Sequence, residues 1–291
     1  MQNKLPFPHQ KEKPLSNFST LGIGGAARLF ALAHTVEEMV AMFSYTHRHS
    51  IPTLVIGKGS NCLFDDRGFN GLVILNKIDY LREKEGGVFV AGAGYSFARL
   101  GAMTAKKGWT GLEFASGIPA TVGGAIYMNA GANGNETCQH LSEVKYVTHC
   151  AEVIHLSQQN LSFGYRYSRF QEMKGAVVEG VFQLKHSAQA EQNQKKLLGY
   201  RVKTQPYGKK SAGCAFRNPP EVPAGKLIEE CGLKGLSVGG ATVSDLHANF
   251  IVNGGGATAR DVLSLMQCIQ EHVYSKKGVT LEKEIRYIPY E

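Results

Sequence analysis

The sequence has no long apolar run and no secretion signal. No stretch approaches the roughly 20 apolar residues that a membrane-spanning helix needs. Lys11, Glu12 and Lys13 interrupt the N-terminal region where the apolar core of a signal peptide would lie. We therefore expect a cytoplasmic protein without a membrane partner.

Cysteine and histidine lack the spacing of a metal or disulfide site. The six cysteines form no C-x-x-C pair and no compact framework, and the ten histidines show no ligand spacing. We therefore expect reduced thiols and no metal ion, with His247 in a structural role.

The net charge of +8 is spread over the chain without a long basic run. A nucleic-acid-binding protein would carry a more concentrated basic stripe. The charge distribution therefore argues against a nucleic-acid partner and favours a small anionic ligand.

Hydrophobic periodicity predicts alternating helices and strands in the first third of the chain, which is typical of an α/β fold. Thr35 and Glu38 make the pattern of a capping box before one helix, and a second helix follows Ser96 and ends near Gly108. The strands of this part are predicted at residues 53–56, 72–75 and 88–91.

The rest of the chain is predicted to contain more strands and then two helices. Between residues 111 and about 185 we expect little helix, and strands at residues 144–148, 153–156 and 176–184. A polar helix at 190–203 marks a candidate domain boundary. The later helices are predicted at 224–231 and at 259–275, the second capped by Thr258 and ended by Gly278.

Glycine is abundant and proline is not, with 34 glycines against 10 prolines. Since no collagen-like period is present, the glycines predict tight turns and close backbone approaches. The candidate phosphate-binding segments are residues 21–26, 57–61 and 116–132. Neither short segment completes G-x-G-x-x-G, and G-x-x-x-x-G-K-[ST] is absent, which argues against a Rossmann fold and a P-loop.

The segment 116–132 is the best candidate for holding a cofactor. It is almost uncharged and rich in glycine, which favours an extended strip whose backbone amides bind the phosphates of a large cofactor. The two short segments are equally compatible with ordinary turns.

Six ordered motifs resemble the UDP-N-acetylenolpyruvoylglucosamine reductase family. They cover nearly the whole chain and lie at residues 57–61, 116–136, 165–170, 211–219, 247–253 and 281–286. The resemblance implies a mixed α+β and α/β fold. It has two FAD-binding subdomains of the vanillyl-alcohol-oxidase (PCMH) type, expected at 1–75 and 76–187, and an α+β substrate-binding domain at 188–291. The short stretch between Phe170 and Ser211 indicates the subtype without an inserted tyrosine loop.

The resemblance also implies an activity. It is the NADPH-dependent reduction of UDP-N-acetylglucosamine enolpyruvate to UDP-N-acetylmuramate, a step in bacterial peptidoglycan precursor synthesis. NADPH would reduce a non-covalent FAD, whose N5 then gives a hydride to the substrate. The partner would be this UDP-sugar, and we expect a monomer.

By the same resemblance, the chain carries residues for the cofactor and the substrate. The expected FAD-binding residues are Gly57, Gly59, Ser60, Asn61, Ser116, Gly117, Ile118, Pro119, Thr121, Gly123, Gly124, Asn129, Ala130 and Gly131. The expected substrate-binding residues are Tyr165, Asn218, Asn249 and Arg286. Two positions depart from the family, which commonly has glycine at Ala120 and a basic residue at Gly22.

Catalysis is assigned by resemblance to Arg166, Cys214 and Glu284. Hydride addition to an enol ether builds negative charge on the adjoining carboxylate, and Arg166 with Glu284 would stabilise that enolate. Cys214 would protonate the α-carbon. The family usually has serine there, and a thiol is the stronger acid.

Glu284 lies in a predicted closing strand at residues 279–288. Its period-two alternation puts Glu282, Glu284 and Arg286 on one polar face, which either lines the site or is solvated. Two other functions stay open. One is an oxidase of a sugar lactone or alcohol on the same fold, and the other is a non-catalytic flavin or nucleotide binder.

Overall fold

The computed structural model describes residues 5–290 as a mixture of helices and sheets. The helices are α1 Val36–Arg48, α2 Phe97–Lys106, α3 Val122–Met128, α4 Ala190–Thr204, α5 Ala224–Glu230 and α6 Ala259–Lys277. The strands are β1 Gln10–Pro14, β2 Ala26–Ala33, β3 Thr53–Ile56, β4 Cys62–Phe64, β5 Phe69–Asn76, β6 Leu81–Lys84, β7 Val88–Gly92, β8 Trp109–Thr110, β9 Gly131–Ala132, β10 Asn135–Glu136, β11 Leu141–Thr148, β12 Val153–Ser157, β13 Phe163–Gly164, β14 Tyr167–Ser168, β15 Gly175–Gln183, β16 Lys185–His186, β17 Ser211–Cys214, β18 Ser237–Val238, β19 Ala241–Val243, β20 Phe250–Asn253 and β21 Arg286–Ile288.

The chain forms two compact units whose segments alternate along the sequence. The first unit comprises residues 5–11, 29–58 and 71–201, and the second comprises residues 12–28, 59–70 and 202–290. The chain passes from the first unit to the second within α4. The division into 1–75, 76–187 and 188–291 stays a prediction, and its outermost limits lie outside the described residues.

The first unit contains a five-stranded antiparallel sheet in the order β12-β11-β15-β7-β6. The start of α1 is confirmed, because Thr35 Oγ1 accepts the Glu38 amide at 3.1 Å. The capping box is incomplete, since the Glu38 carboxylate accepts the amide of His34 at 2.6 Å. The buried face of α1, with Met42 and Phe43, packs in a core that also contains residues of β5, β11 and β15.

The second unit packs α5 and α6 with a four-stranded antiparallel sheet in the order β17-β20-β19-β18. The predicted bounds of α6 are close to the observed ones. Thr258 Oγ1 accepts the Asp261 amide at 3.0 Å, and Gly278 ends the helix with a φ of 67°. A separate parallel pair joins β21 to β4, with Arg286 opposite Cys62.

Sequence patterns missed one helix, and the prediction of a single closing strand is wrong. The region 111–185 contains α3, because burial of Val122 and Ile126 in the core compensates for the low helix propensity of the glycines at 123 and 124. The closing segment is not one strand. Lys283 forms an isolated bridge with Phe216, and only Arg286–Ile288 pairs with β4. The segment therefore changes partners, and a single polar face does not persist along it.

Within residues 5–290, no helix has both the length and the apolar character to cross a membrane.

Candidate active site

The candidate residues are divided between the two units. The first unit holds Gly57, Ser116, Gly117, Ile118, Pro119, Thr121, Gly123, Gly124, Asn129, Ala130, Gly131, Tyr165 and Arg166. The second unit holds Gly59, Ser60, Asn61, Cys214, Asn218, Asn249, Glu284 and Arg286.

Segment 116–132 contains the helix α3, so the expectation that this segment is an extended strip is wrong. A 3-10 helix, Glu113–Gly117, leads into the segment. Thr121 then caps α3, its Oγ1 accepting the Gly124 amide at 3.3 Å. Asn129 ends the helix in the left-handed region with a φ of 42°.

The two adjacent glycines of α3 differ in their surroundings. A β-carbon on Gly123 would lie 2.9 Å from Ala93 Cβ, so Gly123 permits close packing. Its amide donates to the Ala93 carbonyl at 2.9 Å. A β-carbon on Gly124 would meet only Thr121 Oγ1, at 3.5 Å. The backbone is therefore less crowded at Gly124 than at Gly123.

The turn that precedes α3 carries a buried hydroxyl with no partner. Ser116 Oγ is inaccessible and makes no hydrogen bond with any residue of the described range 5–290. Buried hydroxyls normally have a partner, so this oxygen is a candidate contact for a ligand. Gly117 is buried, Pro119 is exposed, and Ala120 packs its methyl group into the core of the first unit.

Gly57 and Gly59 are both required by close approaches. In the first unit, a β-carbon on Gly57 would lie 2.3 Å from Thr121 Oγ1, which brings this turn against the start of α3. In the second unit, Gly59 has a φ of 60°, and a β-carbon there would lie 2.0 Å from the Phe18 carbonyl oxygen.

Arg166 reaches the end of the glycine-rich segment. Its backbone is in the left-handed region, with a φ of 56°, which is uncommon for a residue with a side chain. Its Nη2 donates to the Gly131 carbonyl at 3.0 Å, and its guanidinium lies 4.9 Å from the centre of the Tyr165 ring. Gln171 Nε2 donates to the Arg166 carbonyl at 3.0 Å and helps to fix this turn.

Asn129 and Ala130 are held by the loop that follows them. The Asn129 side chain is fully buried and donates to Glu136 at 3.0 Å and to the Gly164 carbonyl at 2.9 Å. The Ala130 carbonyl accepts the Thr137 amide at 3.0 Å. These contacts order the backbone at Asn129 and Ala130. A contact of the Asn129 side-chain amide with a cofactor stays a prediction.

In the second unit, the segments that carry Cys214 and Glu284 lie side by side. The Glu284 amide donates to the carbonyl of Ala215, the residue after Cys214, at 2.8 Å. Asn61 Nδ2 donates to the Glu284 carbonyl at 3.1 Å, and the Arg286 amide donates to the Asn61 carbonyl at 3.0 Å. Two of the three expected catalytic residues are thereby brought onto neighbouring segments.

Asn249 supports the Cys214 segment from the other side. Its side chain is 1% exposed; its Oδ1 accepts the Phe216 amide at 2.9 Å and its Nδ2 donates to the Phe216 carbonyl at 2.8 Å. Asn218 is exposed, and its Oδ1 accepts the Ala224 amide at the start of α5, at 3.1 Å. The side-chain amide of Asn249 therefore holds the backbone of Phe216, two residues after Cys214.

Burial shifts the pKa values of Cys62 and Arg286, which lie opposite each other in the pair of β4 with β21. Loss of solvation raises the pKa of the Cys62 thiol to about 11, against the opposing charge of Arg286. The same cause lowers the pKa of the Arg286 guanidinium. At neutral pH, Cys62 is therefore a protonated thiol.

Sequence reasoning missed a basic group beside Gly22. A β-carbon on Gly22 would lie 3.0 Å from Lys210 Cδ and 3.5 Å from Lys210 Nζ. An ammonium group thus occupies the neighbourhood of a position where a basic residue is expected from the family. Because Lys210 is far from Gly22 along the chain, no sequence motif indicated this contact.

Two family models match the chain. Residues 27–157 match the FAD binding domain, and residues 205–288 match UDP-N-acetylenolpyruvoylglucosamine reductase, C-terminal domain. Together with the mixed architecture, these matches confirm the expected fold class of an FAD-binding part followed by a C-terminal domain.

Curated relatives and a solved structure match over nearly the full length. The chain is 53% identical to the UDP-N-acetylenolpyruvoylglucosamine reductase of Protochlamydia amoebophila, covering 99% of this chain and 96% of that protein. It is 46% identical to the same-named protein of Chlamydia muridarum, covering 100% and 98%. The crystal structure of the reductase from Thermus caldophilus superposes with a TM-score of 0.82 at 36% identity, covering 97% and 98%.

Proposed function

The chain belongs to the UDP-N-acetylenolpyruvoylglucosamine reductase family, and we propose that it reduces UDP-N-acetylglucosamine enolpyruvate to UDP-N-acetylmuramate with NADPH as the hydride donor. The setting is peptidoglycan precursor synthesis in the cytoplasm, with the enzyme acting as a monomer. The observation that carries the proposal is the 2.8 Å hydrogen bond from the Glu284 amide to the Ala215 carbonyl. This bond joins the backbone that carries Glu284 to the backbone next to Cys214.

The residues of the first unit fit a flavin dinucleotide. The partnerless Ser116 hydroxyl is a donor for a polar group of the cofactor. At Gly124 only Thr121 Oγ1 lies within 4 Å of the position of a β-carbon, which makes this backbone a candidate for close approach of the cofactor. Non-covalent FAD would accept a hydride from NADPH and supply it to the substrate.

We assign the remaining chemistry to three side chains. Arg166 offers several N–H donors, which stabilise negative charge on the substrate carboxylate as the enolate forms. Glu284, in its protonated form, would donate a hydrogen bond to the enolate. The Cys214 thiol gives its proton to the α-carbon, and the resulting thiolate is reprotonated from solvent.

The test is anaerobic mixing of the purified holoenzyme with NADPH, followed by the enolpyruvyl UDP-sugar. We expect the yellow colour to bleach in the first step and to return in the second, with formation of UDP-N-acetylmuramate. A non-catalytic flavin binder would not bleach. Rapid oxygen consumption with an alcohol or sugar-lactone donor, and no response to the UDP-sugar, would instead identify an oxidase.

A further inference from the structure

Three potential metal ligands lie together on the surface of the first unit. They are His47, His149 and Cys150, all exposed, and their donor atoms lie within 4.8 Å of one another. The two imidazole rings have centroids 5.4 Å apart, and Cys150 Sγ lies 3.3 Å from His149 Nε2. None of the three residues is assigned to catalysis or to cofactor binding.

The backbone that presents these side chains is well fixed. His47 is in the last turn of α1 and follows Thr46, which is buried. His149 and Cys150 form the tip of the hairpin between β11 and β12, where the Ala151 amide donates to the Thr148 carbonyl at 2.9 Å. Helix and hairpin meet in one core, to which α1 contributes its buried face and β11 contributes Val147. The cluster therefore does not depend on a loose loop.

The ligand set indicates the class of metal. Imidazole nitrogen and thiolate sulfur are the usual ligands of zinc, at about 2.0–2.1 Å and 2.3 Å, which sets neighbouring donors of a tetrahedral site roughly 3.5 Å apart. The three donor atoms already lie within 4.8 Å of one another, and Cys150 Sγ and His149 Nε2 are 3.3 Å apart, so the cluster is close to that spacing. The negative end of the α1 dipole adds a favourable field for a cation beside His47.

We propose that His47, His149 and Cys150 bind one divalent ion of the zinc class, with water in the fourth position. Binding replaces the thiol proton of Cys150 by the metal, and this proton is released to solvent. His47 is far from His149 and Cys150 in the sequence, and for that reason no ligand spacing reveals the cluster.

The test uses the FAD holoenzyme under reducing conditions, titrated with Zn²⁺ in competition with a chromophoric chelator. We expect one tight site in the wild type, and for Cys150→Ser and His47→Ala a loss of affinity of at least about 100-fold, because a direct ligand contributes more than the supporting groups around it. All three side chains are exposed, so thermal unfolding without zinc should be unchanged in both variants.

Cys268→Ser is the matched control. Cys268 Sγ lies 3.6 Å from His272 Nδ1 on α6, so it is also a cysteine beside a histidine, but it is outside the cluster. This variant should bind zinc like the wild type, and X-ray absorption of the zinc complex should report one sulfur and two imidazole ligands. Tight binding that survives Cys150→Ser, that is lost in Cys268→Ser, or that is absent from the wild type would overturn the proposal.

Discussion

Asn61 holds the backbone of Glu284 through its side-chain amide, with Nδ2 donating to the Glu284 carbonyl at 3.1 Å. The Asn61 carbonyl in turn accepts the amide of Arg286 at 3.0 Å. Asn61 therefore holds the backbone of the closing segment at both Glu284 and Arg286. We consider it a positioning residue for Glu284, besides its expected role in the cofactor turn.

Asn61→Ala should slow reoxidation of the flavin by the UDP-sugar by about 10- to 100-fold, since a small misplacement of a catalytic group carries such a cost. Flavin reduction by NADPH should change much less. Stopped-flow measurement of the two half-reactions separates these effects.

The control for Asn61 is Asn253→Ala. Asn253 Nδ2 donates to the Leu21 carbonyl at 3.0 Å, so this variant also loses a hydrogen bond from an amide side chain to the backbone in the second unit. It should lower the free energy of unfolding without changing the ratio of the two half-reactions. An equal change of that ratio in both variants would show that Asn61 has no specific effect on Glu284.

Cys214→Ala should leave reduction of the flavin by NADPH intact and slow the second half-reaction by about 10²- to 10⁴-fold, the usual contribution of a positioned acid. Cys214→Ser should recover part of the rate, because serine is the residue that the family usually has there. Cys268→Ala, on the surface of α6, should behave like the wild type. Unchanged half-reactions in Cys214→Ala would remove Cys214 as the proton donor.

Ser116→Ala tests the buried hydroxyl. Because Ser116 Oγ is buried without a protein partner, its removal should leave the apoprotein's free energy of unfolding unchanged or raise it by up to about 1–3 kcal/mol. FAD affinity should fall by the value of one hydrogen bond, about 0.5–1.5 kcal/mol. Denaturant unfolding measures the stability of the apoprotein, and flavin fluorescence measures the FAD affinity.

Thr121→Val provides the contrast to Ser116→Ala. It removes the oxygen that caps α3 and should lower the apoprotein's free energy of unfolding by about 1 kcal/mol. If Ser116→Ala destabilises the apoprotein by as much and leaves FAD affinity unchanged, its hydroxyl has an internal structural role.

The two glycines of α3 should respond in opposite ways to alanine. Gly123→Ala forces a methyl group against Ala93 and should lower the free energy of unfolding by about 1–3 kcal/mol. Gly124→Ala meets only ordinary contacts and should stabilise the apoprotein by up to about 1 kcal/mol through helix propensity. Its new methyl group should nevertheless weaken FAD binding, and unchanged FAD affinity would place the cofactor elsewhere.

Asp65 should make stability depend on pH in acid. Its carboxylate accepts two hydrogen bonds from the Arg67 guanidinium, at 2.9 Å each, and one from the Tyr287 hydroxyl. These contacts, that from Arg67 first, hold the pKa of Asp65 well below its usual range despite its burial. A depressed pKa in the folded state stabilises the protein above the pKa of the unfolded state, about 3.9, and this contribution declines as the pH falls below that value.

Asp65→Asn should therefore lower the free energy of unfolding at neutral pH and lose stability less steeply than the wild type as the pH falls below about 4. Urea unfolding at several pH values measures both slopes. Identical slopes would mean that other carboxylates cause the acid sensitivity of the wild type.

Local signals predicted the elements that depend on neighbouring residues. The caps of α6 at Thr258 and Gly278 are such signals, because a hydroxyl oxygen and a left-handed glycine act within one helical turn. The helix α3 was missed because its two glycines disfavour it locally, while the burial of Ile126 that compensates is a tertiary effect.

The candidate site was predictable from motifs but its internal connections were not. Arg166 was assigned from its motif, yet its contact with Gly131 requires the fold. Lys210 beside Gly22 and the cluster of His47 with Cys150 are likewise contacts between distant segments. No periodicity or spacing along one sequence encodes such contacts.

The parallel pairing of β4 with β21 sets the order in which a chain emerging from the ribosome can finish folding. Residues 62–64 are synthesised early, but their strand partner, residues 286–288, appears only after α6. The segments of the first unit are complete at residue 201. Domains generally fold as units during synthesis, N-terminal parts first. The glycine-rich segment around α3 can thus be ordered while the surroundings of Glu284 are still unformed, so the pairing of β21 with β4 and the contacts of Asn61 with Glu284 and Arg286 are completed last.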